Sequence, residues 1–294
     1  MIKNQIKYIY ILLLGLLYSQ GNFQILNIPS NTRMLSLSNA NHALSDLTSS
    51  YNSASINAKR KNINFHSHLY PASILYLNTE AVIPFQNHVY AFSYANLNYG
   101  NFKDGDSDYS FNSSEFLFKG SIKTTLFEKI SFGTSVGYGV NKISNHFTHA
   151  LFISLGVRSQ FNNPRLGFGF SMNNIGAIIS SFNNIHEQLP TSCNLSTFYS
   201  PQYFPGILLF DIYKTQTSDN LEMRIGIEIT VTDYLLLRLG NSSNAFELID
   251  PYSSYFTGMS SGIGIQSKHW NLDLGFFNLE TAGIITGLSL LYKQ

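Results

Sequence analysis

The chain has 294 residues, enough for one large domain or two small ones. Charged residues make up only 12% of it, against roughly 25% in ordinary soluble domains, while aromatics reach 14%. A formal net charge of +1 offers no basic field for nucleic acid, and so little charge cannot clothe a water-facing surface of this size.

Residues 1–20 read as a secretory signal peptide. Lys3 and Lys7 supply the positive end, Tyr8–Leu17 the apolar stretch and Tyr18–Gln20 the cleavage zone. About ten apolar residues are too few to cross a bilayer as a helix, and no later run reaches the roughly 18 needed. The spanning structure that remains is a closed β-barrel, because it alone satisfies every backbone group in lipid without helices.

Residues 21–60 differ in character from the remainder of the mature chain. The segment is rich in Asn and Ser, carries a short helical possibility at His42–Leu47, and is too small to build its own core. It is either a disordered lead or a plug packed against the barrel. Ile25, Leu26, Ile28, Leu35, Leu37, Ala43 and Leu47 favour the plug, since disordered leads carry fewer apolar residues.

Residues 61–294 read as the barrel. Strand-like stretches recur at Ile63–Tyr70, Ser73–Ile83, His88–Tyr99, Tyr109–Lys123, Lys129–Lys142, Thr148–Gln160 and from Leu166 to Met172. Further stretches lie at Leu189–Ser200, Pro205–Thr215, the Leu221–Gly240 hairpin, Phe256–Gln266, His269–Asn278 and Gly283–Tyr292. The hairpin is the clearest. Leu221, Met223, Ile225, Ile227 and Ile229 share one face, with Glu222, Arg224, Gly226, Glu228 and Thr230 on the other. About fourteen segments of roughly ten residues match tilted membrane strands, with the greasy face outward and the small or charged face inward. All eight prolines fall before or between the segments. Short and long connections alternate, as periplasmic turns and outer loops do. Gly and Ser on the inward faces leave room for a plug or a narrow passage. The fold expected is therefore all-β, a single transmembrane antiparallel barrel of about fourteen strands with an N-terminal plug or lead-in. A secreted soluble β-sandwich is the rival, but it does not explain the scarcity of charge on every exposed face.

Motifs that carry chemistry are weak. Asp104–Asp108 with Glu115 resembles a calcium loop, but Tyr109 stands where the sharp turn needs glycine. A solvated loop tip accounts for it. His66 and His68 share a strand face without a third ligand. Cys193 has no partner for a disulfide and no basic neighbour to make it reactive. No GxSxG, HExxH, paired-Cys or phosphate-loop motif occurs. The sequence argues for no enzyme, no metal and no cofactor.

A resemblance enters on short motifs spread over nearly the whole mature chain. Leu26-Asn27-Ile28-Pro29, Arg33, Asp46 and Asn52-Ser53-Ala54 resemble the lead-in of the PorV/PorQ family of outer-membrane proteins. Ser38-Asn39 stands where that family has a glycine pair, and Ser53 replaces a proline. Tyr99-Gly100, Glu187-Gln188-Leu189-Pro190, and Glu228 with Leu237-Arg238-Leu239-Gly240 resemble its PorQ branch more than its PorV branch. The resemblance implies a FadL-like barrel in the outer membrane of a Gram-negative bacterium. It also implies a non-enzymatic docking role in type IX secretion, with PorU-, PorV- and PorZ-like partners besides outer-membrane lipid. Gly100–Tyr109, Ile175–Gln188 and Asn241–Tyr255 would be the docking loops. The alternative is a FadL-like channel for hydrophobic small molecules.

Overall fold

The structure, a computed structural model, describes residues 23–48, 51–103, 110–126, 129–160, 165–181, 188–216, 218, 220–243, 256–279 and 282–294. The signal peptide expected over residues 1–20, the acidic stretch at 104–108, Glu187 and most of the expected docking loops lie outside these residues.

Fourteen antiparallel strands close into one barrel, each paired with its neighbours in sequence and the first with the last. They are β1 (Asn62–Leu69), β2 (Leu75–Phe85), β3 (His88–Lys103), β4 (Ser110–Leu126), β5 (Ile130–Ile143), β6 (His146–Gln160) and β7 (Leu166–Ser180). The second half is β8 (Ser192–Tyr199), β9 (Gly206–Thr215), β10 (Glu222–Thr232), β11 (Leu235–Ser242), β12 (Met259–Gln266), β13 (Trp270–Asn278) and β14 (Ile284–Lys293). Closure runs from Asn62↔Lys293 to Leu69↔Thr286, so no strand edge is left for lipid to meet.

The alternation read from the sequence becomes two solvents. On β10 and β11, Met223, Ile225, Leu237 and Leu239 are exposed on the outside, while Arg224, Glu228 and Arg238 are buried within. Phe92 and Tyr94 point out where Ala91 and Ala95 point in, and Phe132 and Val136 do so on β5. A continuous exposed apolar face on a closed sheet is unfavourable in water and stable in hydrocarbon.

Connections sort by end. Those at the end holding Asn62 and Lys293 run from two to six residues, whereas the opposite end carries connections of up to sixteen. Short turns mark the periplasmic end and long loops the outside. Aromatics at the first end, Phe85, Tyr203, Tyr234 and Trp270, stand exposed where a girdle meets the headgroups.

Residues 23–48 and 51–58 fill the lumen as a plug. Leu37, Ala40, Ala43 and Leu44 pack on Phe198 and Leu209, and Phe23, Ile25 and Leu26 pack against Tyr76, Leu97 and Phe152. The small inward residues make this possible. A Cβ on Gly133 would strike the backbone of Ser53 and Ala54, and one on Gly262 would strike the Ser36 side chain. The plug's helix is not at His42–Leu47 but at Thr32–Ser36 (α1), where the Asn31 side chain accepts from the Met34 N–H at 2.8 Å. His42–Leu47 is drawn instead into a bridge, with Asp46 N donating to Ser55 O at 3.0 Å and Asn57 N to Asp46 O at 2.6 Å.

Two departures from the sequence reading are informative. Pro84 lies inside β2, paired with Val89, rather than between strands. Pairing with β1 ends at Val82, so the donor that proline lacks is not needed on that side. The strand β7 also runs to Ser180, through the region expected to be a connection from Ile175, because Ile175–Ser180 pairs with β6. The residues that stand where glycines were expected, Ser38 and Asn39, are both left-handed, with φ of 49° and 64°. Glycine is the residue that adopts this conformation without strain. The Asn39 side-chain oxygen is moreover buried without a partner. Asn39→Gly is therefore expected to stabilise the barrel by up to about 1 kcal/mol in denaturant titration of the detergent-solubilised protein.

Candidate functional site

Helix α1 divides the lumen. Outside it lies a cavity of about 510 Å³, lined chiefly by apolar and aromatic side chains that include Ile28, Leu35, Tyr70, Leu97, Tyr213 and Ile285. On its periplasmic side lies a second cavity of about 370 Å³, far more polar, lined by Arg33, Asp46, Glu228, Arg238 and Asp273. Leu35 and Arg33 sit two residues apart on α1 and face opposite cavities. The first volume falls in the range of small-molecule sites.

A charge network fastens α1 to the wall. Arg33 reaches Glu228 with both Nε (2.8 Å) and Nη2 (2.7 Å), a bidentate pairing between residues far apart in sequence. Arg33 Nη1 stands 3.6 Å from Asp46, inside the plug. Arg238 donates to the same Glu228 at 2.7 Å and to Asp273 at 2.5 Å. Burial works against the Arg33 charge, but Glu228 and Asp46 more than reverse that and raise its pKa. Two guanidiniums thus share three carboxylates, with Glu228 in the middle.

A second fastening holds the outer end. Glu115 accepts from the backbone N–H of Ile25 (2.8 Å) and Gln24 (3.2 Å) and from the Tyr99 hydroxyl (2.7 Å). Glu115 is therefore committed to the plug rather than free for a loop cation. His66 and His68 both face inward, as their shared face requires, and both meet the plug's hydrogen-bond chain. His66 Nδ1 lies 2.6 Å from Ser289 Oγ, which donates to Thr32 at 2.6 Å, and His68 Nε2 lies 3.4 Å from Thr32 Oγ1. Among the described residues, no group of three or more His, Cys, Asp or Glu side chains could hold a metal ion.

The remaining motif residues are dispersed. Pro29 lines the outer cavity. Asn52 caps the turn at Ser53–Ser55 and donates to Val157 O on β6 at 3.2 Å. Gly100 has φ of 85° at a register shift in β3. The Pro190 carbonyl accepts from Asn174 at 3.2 Å. Sequence reasoning missed the pair Glu222–Arg224 as a site. Arg224 donates to Glu222 at 2.7 and 2.9 Å and lies over the Tyr213 ring at 3.9 Å, all on the wall of the outer cavity. The signal was present as two opposite charges at i and i+2 on a small, inward face.

A closed strand cylinder with an apolar exterior and a plug flanked by cavities defines the class: an outer-membrane β-barrel. Comparison of the sequence with protein-family models and with curated proteins returns no match. The structure is similar to the P. putida toluene transporter TodX, with a TM-score of 0.60 at 11% identity over 84% of this chain and 93% of that one. It is also similar to a Pseudomonas aeruginosa FadL homologue, with a TM-score of 0.56 at 11% identity over 90% and 98%. At such identity the likeness is one of fold, and the chain is a FadL-like barrel of the Gram-negative outer membrane.

Proposed function

We propose that the protein is a passive channel that takes small, largely apolar molecules from outside and passes them by the plug to the periplasm. The observation that carries this is the pair of cavities on either side of α1, apolar and aromatic outside, charged and polar inside. A compound that prefers the first to water is gathered there by burial of its apolar surface. Its passage needs α1, held to the wall by side-chain bonds such as Arg33 to Glu228 rather than by strand pairing, to shift aside. The likeness to TodX, a toluene transporter, supports the same substrate range.

The test is uptake of radiolabelled toluene by Gram-negative cells with intact lipopolysaccharide, with and without the protein. Expressing cells should load several-fold faster. Ile285→Trp, which adds bulk from β14 into the outer cavity, should return the rate to background without lowering the amount of folded barrel. Equal rates in all three strains would end the channel reading.

A second reading, docking of type IX secretion partners, rests on the resemblance and on one observation. Arg33, Asp46, Glu228 and Arg238, four residues that carry the resemblance, converge in a single network. Recovery of PorU-, PorV- or PorZ-like proteins with the detergent-solubilised barrel would favour it.

A further inference from the structure

The outer cavity carries charge in a form that bears on what it can hold. Among its described lining residues, Arg224 is the one cation and Glu222 the one anion, and they are spent on each other. Arg224 uses Nε and Nη2 on the two Glu222 oxygens at 2.7 and 2.9 Å, its plane is covered by Tyr213 at 3.9 Å, and its Nη1 is buried away from the open cavity without a partner. Ser242 adds a 2.5 Å hydrogen bond to Glu222 from β11, which fixes the carboxylate in place. The wall is therefore formally neutral. Its remaining polar groups, such as Asn27, Thr215 and Asn220, are uncharged donors and acceptors among apolar side chains.

We infer that the cavity selects uncharged ligands with an apolar body and a single neutral polar group, and rejects the matching carboxylates. This rests on the channel reading above and assigns its substrate class. A carboxylate entering the cavity would give up its water and meet a guanidinium already neutralised. It would also meet the Glu222 charge, whose repulsion cancels the attraction of Arg224 at similar distance. An alcohol or ester carries neither cost, and a Thr, Asn or Tyr group can serve its one oxygen. Selectivity thus comes from an ion pair that answers its own charge.

The probes are 4-phenylbutan-1-ol and 4-phenylbutyrate, which share a body and differ in a hydroxymethyl against a carboxylate. Equilibrium dialysis of the whole protein in detergent at pH 8, corrected against empty micelles, should show saturable binding of the alcohol and at least tenfold weaker binding of the carboxylate. Glu222→Gln, which frees the Arg224 charge, should strengthen carboxylate binding at least tenfold and leave alcohol binding within about threefold. Glu222→Gln combined with Arg224→Met removes both charges and should keep the alcohol preference without that gain. This second variant separates an effect of charge from one of folding. Equal binding of both probes by the natural protein overturns the inference and leaves the channel standing, as long as toluene uptake is intact. Unchanged carboxylate binding in a folded Glu222→Gln barrel also overturns it. Absence of binding by either probe together with absence of toluene uptake overturns both readings.

Discussion

Truncating Glu228 to alanine is expected to unlatch the plug, with a loss of roughly 3–5 kcal/mol in barrel stability and an open lumen. The magnitude comes from the bonds this residue makes. Glu228 is buried and is the one carboxylate shared by Arg33 of the plug and Arg238 of the wall. Its removal leaves Arg33 with Asp46 at 3.6 Å, and leaves Arg238 with Asp273 alone. Breaking one side of a buried pair costs more than the pair itself contributes, because the surviving charge stays desolvated. Adding Arg33→Met to the Glu228→Ala protein should recover a large part of the loss, since the stranded plug charge is then gone. Two measurements check this. Denaturant midpoints give the stability cycle, and planar-bilayer recordings should show frequent, large open events in Glu228→Ala that the natural protein lacks. A Glu228→Ala barrel with an unchanged midpoint and a closed lumen would mean that α1 is held elsewhere.

What the sequence made legible was whatever repeats at short range. The two-residue period of β10 and β11 gave the outward face, the inward charges and the hairpin, because strand geometry converts each step into a side. The proline and loop pattern gave the strand count to within small shifts. Pro84 escapes the sequence pattern because whether a strand tolerates proline depends on how far its neighbour extends, and β1 begins only at Asn62, opposite Val82. The plug's seat in the lumen is illegible in the sequence for a related reason. Its contacts pair residues such as Arg33 with Glu228, and Thr32 with Ser289, across more than half the chain. No local period encodes such partners. The Ser38-Asn39 step shows the opposite case. Its left-handed backbone is invisible in the residue types, which break the expected glycine pair, yet the geometry that glycine would serve is retained. Glu115 has only a weak loop-motif signal in the sequence, and its inward strand parity is what the structure uses, turning it to Tyr99 and the Ile25 backbone.

The remaining large effect tests whether the lumen is shaped for the plug rather than merely occupied by it. Gly240 on β11 faces inward, and a Cβ there would lie 2.7 Å from Ser38 N and against the Leu37 carbonyl carbon. Both are backbone atoms. A crowded side chain can choose another rotamer, but this stretch cannot retreat cheaply, because Leu37 is packed on Phe198 and Leu209 and Ser38 is bonded to Ser260 at 2.8 Å. Gly240→Val is therefore expected to cost at the upper end of the roughly 1–3 kcal/mol typical of overpacking, and to push α1 off its seat. The control is Gly120 on β4, where an added Cβ meets only the Phe92 ring at 3.8 Å, an ordinary contact on the lipid face. Gly120→Val adds the same side chain to the same architecture and should leave stability within about 0.5 kcal/mol. Cells carrying Gly240→Val should become sensitive to vancomycin, a solute too large for a plugged barrel, while Gly120→Val cells remain resistant. Matching behaviour of the two variants would mean that the inward glycines are there for strand packing, and that the plug is a loose occupant of a lumen built without it.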